Sequence, residues 1–153
     1  MSKTIAEEIL FEIEEIEELF VTYGDLLSRV QERTPDVVEV AALASVLHSF
    51  YMGLENIFLV IAKRLDAGVP SGSRWHSDLL AQMTQSTARR GQVISMDLRK
   101  TLSDYASFRH VARHAYTTRL NWDEMAEGVM QMSRVWAQAK SELLAFVETL
   151  SKE

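Results

Sequence analysis

Residues 40–65 read "VAALASVLHSFYMGLENIFLVIAKRL". Apolar residues fall at Val40, Ala44, Leu47, Tyr51, Leu54, Phe58, Ile61 and Leu65, spaced alternately by four and three. That spacing keeps one stripe of an α-helix turned toward the same neighbour over many turns. Two further stretches share it. One runs through Ile9, Ile13, Ile16, Phe20, Tyr23, Leu27 and Val30; the other through Met125, Val129, Met132, Trp136, Ala139, Leu143, Phe146 and Leu150. No stretch alternates with period two, so the fold class is all-α, an up-and-down helical bundle of four to five helices.

The segments between the stripes carry helix punctuation. In "TPDVV", Thr34 reads as an N-cap and Pro35 as the first helical residue, where its missing N–H costs nothing. "DAGVPSGSRW" ends the second helix near Gly68 and opens a short third helix over about 74–85, capped by Ser71 or Ser73. "TARRGQVIS" reads as a loop, and Ser95 with Asp97 starts a fourth helix. Asn121, followed by Glu124 three residues on, opens the last one as a capping box. The chain shows no linker, internal repeat or low-complexity segment, and residues 1–153 are expected to form one domain.

Composition narrows the chemistry. There is no cysteine, which excludes disulfides, thiolate metal sites and cysteine nucleophiles and suits a cytosolic setting. The first ten residues lack the order of a signal peptide, and the longest uninterrupted apolar run, "IFLVIA" at 57–62, is too short to span a bilayer. A cytoplasmic protein without a membrane partner is expected. Net charge is −6, an argument against nonspecific nucleic-acid binding and for no DNA partner. The average conceals one basic segment. Residues 86–120 hold seven bases (Arg89, Arg90, Arg99, Lys100, Arg109, Arg113, Arg119) against two acids, for +5. The acids of the first helix, Glu7, Glu8, Glu14, Glu15, Glu17 and Glu18, read as a solvated face, since burying unpaired carboxylates costs on the order of several kcal/mol each. Met125, Met130, Met132 and Trp136 read as core.

Inside the basic segment lies "SFRHVARHAYT", residues 107–117. The fourth helix is expected to bury Leu98, Leu102, Tyr105, Phe108 and Val111, with Arg109, His110, Arg113, His114 and Tyr116 mostly off that stripe. Arg109 and Tyr116, seven apart, would share a face, as would His110 and His114, four apart. Arg109 and His114 point about 140° apart on a regular helix, so they converge only if the helix ends near His114 or a second copy contributes. Three chemistries fit these residue types. His110 and His114 could be a metal pair, although Arg109 and Arg113 would repel a dication and no partner carboxylate lies nearby. The cluster could be structural, with Arg113 stacked on Tyr116 and a histidine at the helix C-terminus. Or it could handle phosphodiesters: histidine exchanges protons near neutrality, arginine clamps phosphate oxygens, and tyrosine orients or stacks. RNA carries its own 2′-hydroxyl nucleophile, so this third option needs no metal and no cofactor.

"FRHVARHAY" reads R-x4-H-x-Y at Arg109, His114 and Tyr116, and resembles the signature of HEPN-domain ribonucleases, in particular the HepT-like toxins. The segments 43–83 and 102–125 resemble the second-helix and motif regions of that family in order and spacing. The likeness starts near residue 35; the first helix matches only in type. It implies a HEPN-type bundle and a metal-independent endoribonuclease toxin, acting as a homodimer whose two motifs face a shared cleft. Arg109 and His114 would be the catalytic pair, with Tyr116 beside them. His110, Arg113 and Arg119 would bind RNA, and the seven bases would line one groove. The resemblance also implies an MNT-type nucleotidyltransferase antitoxin that adenylylates Tyr116, and Glu55 as a second-helix acid bracing the motif arginine; an exposed or locally paired Glu55 is the alternative. Where many HepT proteins have asparagine after the motif arginine, this chain has His110. The competing reading is a non-catalytic HEPN module serving as partner or substrate-binding subunit of a nucleotidyltransferase.

Overall fold

The computed structural model describes residues 3–150 except Ala115, with the side chains of residues 109–114 outside the described set. Among the described residues there are six α-helices: α1 (Ile5–Thr22), α2 (Gly24–Arg29), α3 (Val37–Leu65), α4 (Trp75–Met83), α5 (Met96–His114) and α6 (Trp122–Leu150). A short 3-10 turn, Thr117–Arg119, joins the last two, and no strand occurs among these residues. The chain is an all-α bundle with α3 at its centre, in contact with α1, α4, α5 and α6.

The long helices alternate in direction. Arg64, at the end of α3, donates to Glu8 at 2.5 Å and to the Lys3 carbonyl at 3.0 Å, while Phe20 meets Phe50 at the other end of the pair. Tyr105 donates to the Gly128 carbonyl, and Ser95 donates to Glu142, which sets α5 antiparallel to α6. Phe20 lies over Trp136 and Glu17 pairs with Lys140, which does the same for α1 and α6. Each long helix contributes one ring to the middle of the core: Phe20, Phe50, Tyr105 and Trp136, with centroids 5.5–6.4 Å apart in mostly edge-to-face pairs. At the α1–α3 crossing a Cβ on Gly53 would stand 2.7 Å from Ile16 Cγ1, so the glycine permits the close approach.

The expected stripes are buried almost throughout: all eight positions of α3, and Met125 to Phe146 of α6. By length and composition α3 could cross a membrane, with mean hydropathy 1.6 over its most apolar stretch, although its longest uninterrupted run is short. Here it is the core helix. The solvated acids of α1 are exposed or half-exposed, as composition suggested.

Four local expectations change. The count rises to six because the first helix breaks at Tyr23, whose backbone leaves helical geometry at φ −103° and ψ 15°. The break rotates the register, so Leu26 is buried where Leu27 was expected. The N-cap of α3 is Asp36, not Thr34: its carboxylate accepts from the Glu39 N–H at 2.8 Å and the Glu39 side chain accepts from the Asp36 N–H at 3.1 Å. Pro35 therefore precedes the cap. The side-chain bond from Arg33 and the Asp36 N–H hold the Glu39 carboxyl below its usual range. Neither Ser71 nor Ser73 caps α4, which starts behind Arg74 without a side-chain bond. Ser95 does cap α5, accepting from the Leu98 N–H at 3.1 Å, and Glu142 of α6 holds it there by accepting from its N–H and hydroxyl. Asn121 caps α6 through the Asp123 N–H, one position earlier than a capping box requires.

Candidate functional site

Helix α5 carries the R-x4-H-x-Y residues at its C-terminal end. Its buried positions are Leu98, Leu102 and Tyr105, with Ala106 and Phe108 half-buried. Arg109 stands four residues after Tyr105 and seven after Leu102, within roughly 40° of both on a regular helix. The expected stripe is buried at Leu98, Leu102 and Tyr105 and half-buried at Phe108, and Val111 lies outside the residues whose side chains are described. The contacts made by the side chains of Arg109, His110, Arg113 and His114 lie outside the described residues.

The helix ends at His114. Tyr116 has extended backbone, φ −65° and ψ 148°, and precedes the 3-10 turn. The seven-residue helical register from Arg109 to Tyr116 is thus broken, and the two do not share a helical face. Tyr116 is 81% exposed, and Arg119 is exposed in the same turn.

The basic residues of 86–120 do not line one groove. Arg90 is buried, and all five of its N–H groups are spent inside the fold. Nε and Nη2 donate to the two oxygens of Asp66 at 2.7 and 2.8 Å, Nη2 also to the Gln82 carbonyl, and Nη1 to the carbonyls of Gln85 and Gly91. Burial pushes the Asp66 carboxyl upward, but the bonds from Arg90 and Gln82 with the arginine's charge outweigh it and hold the group below its usual range. This pair ties the loop after α4 to the end of α3. Arg99 and Lys100 border a different groove, between α4 and α5, with Ser77, Ser103, Asp97 and Asp104.

A second groove along the motif helix, of about 450 Å³, lies between α5 and α6. Phe108, Leu47 and Met125 form its apolar floor, while Asp104, Glu124 and Glu127 face Arg134 around it. Tyr105 lines it too; burial pushes its hydroxyl upward, so it stays protonated and donates to Gly128 at 2.7 Å. An anionic backbone meets three carboxylates here, so this groove is a poor RNA track.

Glu55 is the one buried carboxylate among the described residues of α3, 4% exposed. Its Oε2 lies 2.5 Å from Nδ1 of His76, in the first turn of α4, and His76 lies against Trp75 with ring centroids 3.6 Å apart. Glu55 thus has a local partner that the sequence did not suggest, since 21 residues separate the two. Its relation to Arg109 lies outside the described residues. The Asp66–Arg90 pair was missed for the same reason: neither helical spacing nor a motif links positions 24 apart.

A protein-family model described as HepT-like protein matches residues 42–150, from the second turn of α3 to the end of α6 and through the whole motif. No curated protein and no solved structure matches the chain.

Proposed function

Because this chain belongs to the HepT-like family of HEPN-type proteins, we propose that it is a metal-independent endoribonuclease, the toxin of a HEPN/MNT toxin–antitoxin system. The observation that carries the reading is R-x4-H-x-Y at Arg109, His114 and Tyr116, placed where α5 ends at His114. The ending supplies the freedom a continuous helix would deny. In this reading His114 takes the proton of a ribose 2′-hydroxyl, the 2′-oxygen attacks the adjacent phosphorus, and the 5′-oxygen leaves with a proton. Arg109 holds the phosphate oxygens and stabilises the charge that builds on them. His110, Arg113 and Arg119 contact the RNA backbone, and two copies present their motifs to a common cleft. Tyr116, outside the helix and largely exposed, is accessible for adenylylation by an MNT-type partner.

The test is the chemistry of the product ends. Cleavage of RNA in excess EDTA should leave a 2′,3′-cyclic phosphate or 3′-phosphate and a 5′-hydroxyl. Strict dependence on a divalent ion, or 5′-phosphate ends, would exclude 2′-hydroxyl attack.

A further inference from the structure

We infer that the groove between α1 and α3 is a docking site for one helix of a partner protein, a helix with an apolar face flanked by lysine or arginine. This role needs no ribonuclease activity, and none of the groove's lining residues belongs to α5.

The outer face of α3 departs from that of an ordinary surface helix, which packs one side and carries charges on the other. Residues 40–62 hold no lysine, arginine or aspartate, and their one glutamate, Glu55, is buried. Ser45, Ser49, Met52, Asn56 and Val60, spaced by three or four, are exposed or half-buried. This face is therefore small or apolar along about four turns. It explains how α3 can have the composition of a membrane span while only 50% of its most apolar stretch is buried. Depletion of charge, with methionine and aromatic residues in its place, distinguishes the core of a protein interface from the rest of a surface.

Helix α1 adds the second wall. Its residues between Phe11 and Tyr23 border a groove of about 450 Å³ against Ser49, Met52, Gly53 and Asn56 of α3. Ile16 and Gly53 lie at its floor, where the glycine lets the two helices approach. Phe11 and Met52 stand beside it, 46% and 40% exposed. Along α1 the groove runs about 18 Å, some three turns, between two antiparallel helices whose ridges leave the kind of furrow that another helix fills.

Charge selects the occupant. Glu12, Glu15 and Glu18 line the groove, and no lysine or arginine does. Elsewhere on α1 the carboxylates are matched, since Glu8 pairs with Arg64 and Glu17 with Lys140. Among the described residues no ion pair engages the three that line the groove. Like charges three residues apart work against the helix that carries them, and a cation laid between them removes that repulsion. At the Phe11 end the chain already places a cation beside an apolar ring, with Lys3 Nζ 4.3 Å from the ring centroid. A second copy docked groove to groove would bring the same glutamates face to face, and an anionic lipid surface would be repelled by them. A basic, apolar helix satisfies both walls. The acid wall belongs to α1, outside the residues that the family model matches.

The test uses the full chain and two peptides of about 18 residues, long enough for five helical turns. Both carry a leucine face, flanked by lysine in one and by glutamate in the other. The lysine peptide should shift the backbone amide resonances of residues 11–23 and 49–56 and bind at least ~10-fold tighter than the glutamate peptide. Met52→Glu puts a charge into the contact, and Glu15→Lys with Glu18→Lys reverses the acid wall; each should weaken binding by at least ~10-fold. Glu14→Lys with Glu32→Lys changes net charge equally on exposed residues that do not line the groove, and should bind like wild type at physiological ionic strength. Equal weakening by the two charge-reversing pairs, shifts confined to other helices, or no binding overturns the assignment. So does a dimer that Met52→Glu dissociates, which would make a second copy the occupant, or binding to neutral phosphatidylcholine vesicles that Met52→Glu abolishes. Should a variant fail to fold by circular dichroism, the wild-type shift map decides alone.

Discussion

Arg90 and Arg109 are both arginines of the basic segment, and burial separates their roles. Arg90 spends every donor on Asp66 and nearby carbonyls, with its side chain fully buried. Removing it would leave Asp66 charged and dry, so Arg90→Ala should cost about 3–5 kcal/mol, read by urea denaturation. The companion effect depends on pH. A carboxyl held below its usual range stabilises the fold above its unfolded value, near 3.9, and that contribution is lost as pH falls through the folded value. Wild type should therefore exceed Asp66→Asn in melting temperature at neutral pH, and the gap should close as the pH drops below about 4. A gap independent of pH would mean that shape, not charge, matters at this position. Tyr116 offers another single-residue test. Co-expression with an MNT-type nucleotidyltransferase should give protein heavier by one or more adenylyl units and without activity, whereas Tyr116→Phe should stay unmodified and active. An unmodified but fully inhibited wild type would point to sequestration instead. Motif residues could be picked out from the sequence because their types advertise chemistry. Glu55 with His76, and Asp66 with Arg90, could not, because each partnership is made by tertiary packing.

Among the helices, what repeats locally was readable and what depends on a neighbour was not. The three long stripes predicted α1, α3 and α6 with their buried faces. The break at Tyr23 carries no proline, and the cap of α3 lay two residues beyond the first plausible one. In α5 the stripe was readable as far as Phe108, with Leu98, Leu102 and Tyr105 buried and Phe108 half-buried against the core. Close approach between helices is similarly hidden. Gly53 lies within an otherwise bulky stretch, and its purpose appears only when Ile16 is found 2.7 Å from where a Cβ would be. Alanine is the better helix former by up to ~1 kcal/mol, yet overpacking costs about 1–3 kcal/mol. Gly53→Ala should lower stability by roughly 1 kcal/mol, since the crowding outweighs the propensity. A stabilised variant would mean that Ile16 yields freely and that the α1–α3 contact is looser than drawn.

The bundle as a whole raises the question of assembly. On a regular helix Arg109 and His114, five residues apart, point about 140° away from each other. A two-fold dimer would return both residue types to one cleft, and the end of α5 that carries the motif also carries exposed Tyr116 and Arg119. Light scattering at micromolar protein should give twice the 17.4 kDa chain mass. A fully active monomer would require the helix end alone to bring the pair together. The all-α class and the family signature were visible in the sequence; the acidic groove between α5 and α6 was not, because it joins Asp104 to Glu124 and Glu127 across two helices.

The most direct test of the ribonuclease proposal is the rate of RNA cleavage in excess EDTA by wild type, Arg109→Ala and His114→Ala. All three should be equally folded by circular dichroism, since the substitutions fall at the end of a helix. Wild type should cleave in the chelator, and each variant should be slower by at least ~100-fold, the usual scale for a proton-transfer or charge-stabilising group. Cleavage by the variants at the wild-type rate, or none by wild type without a divalent ion, would contradict it.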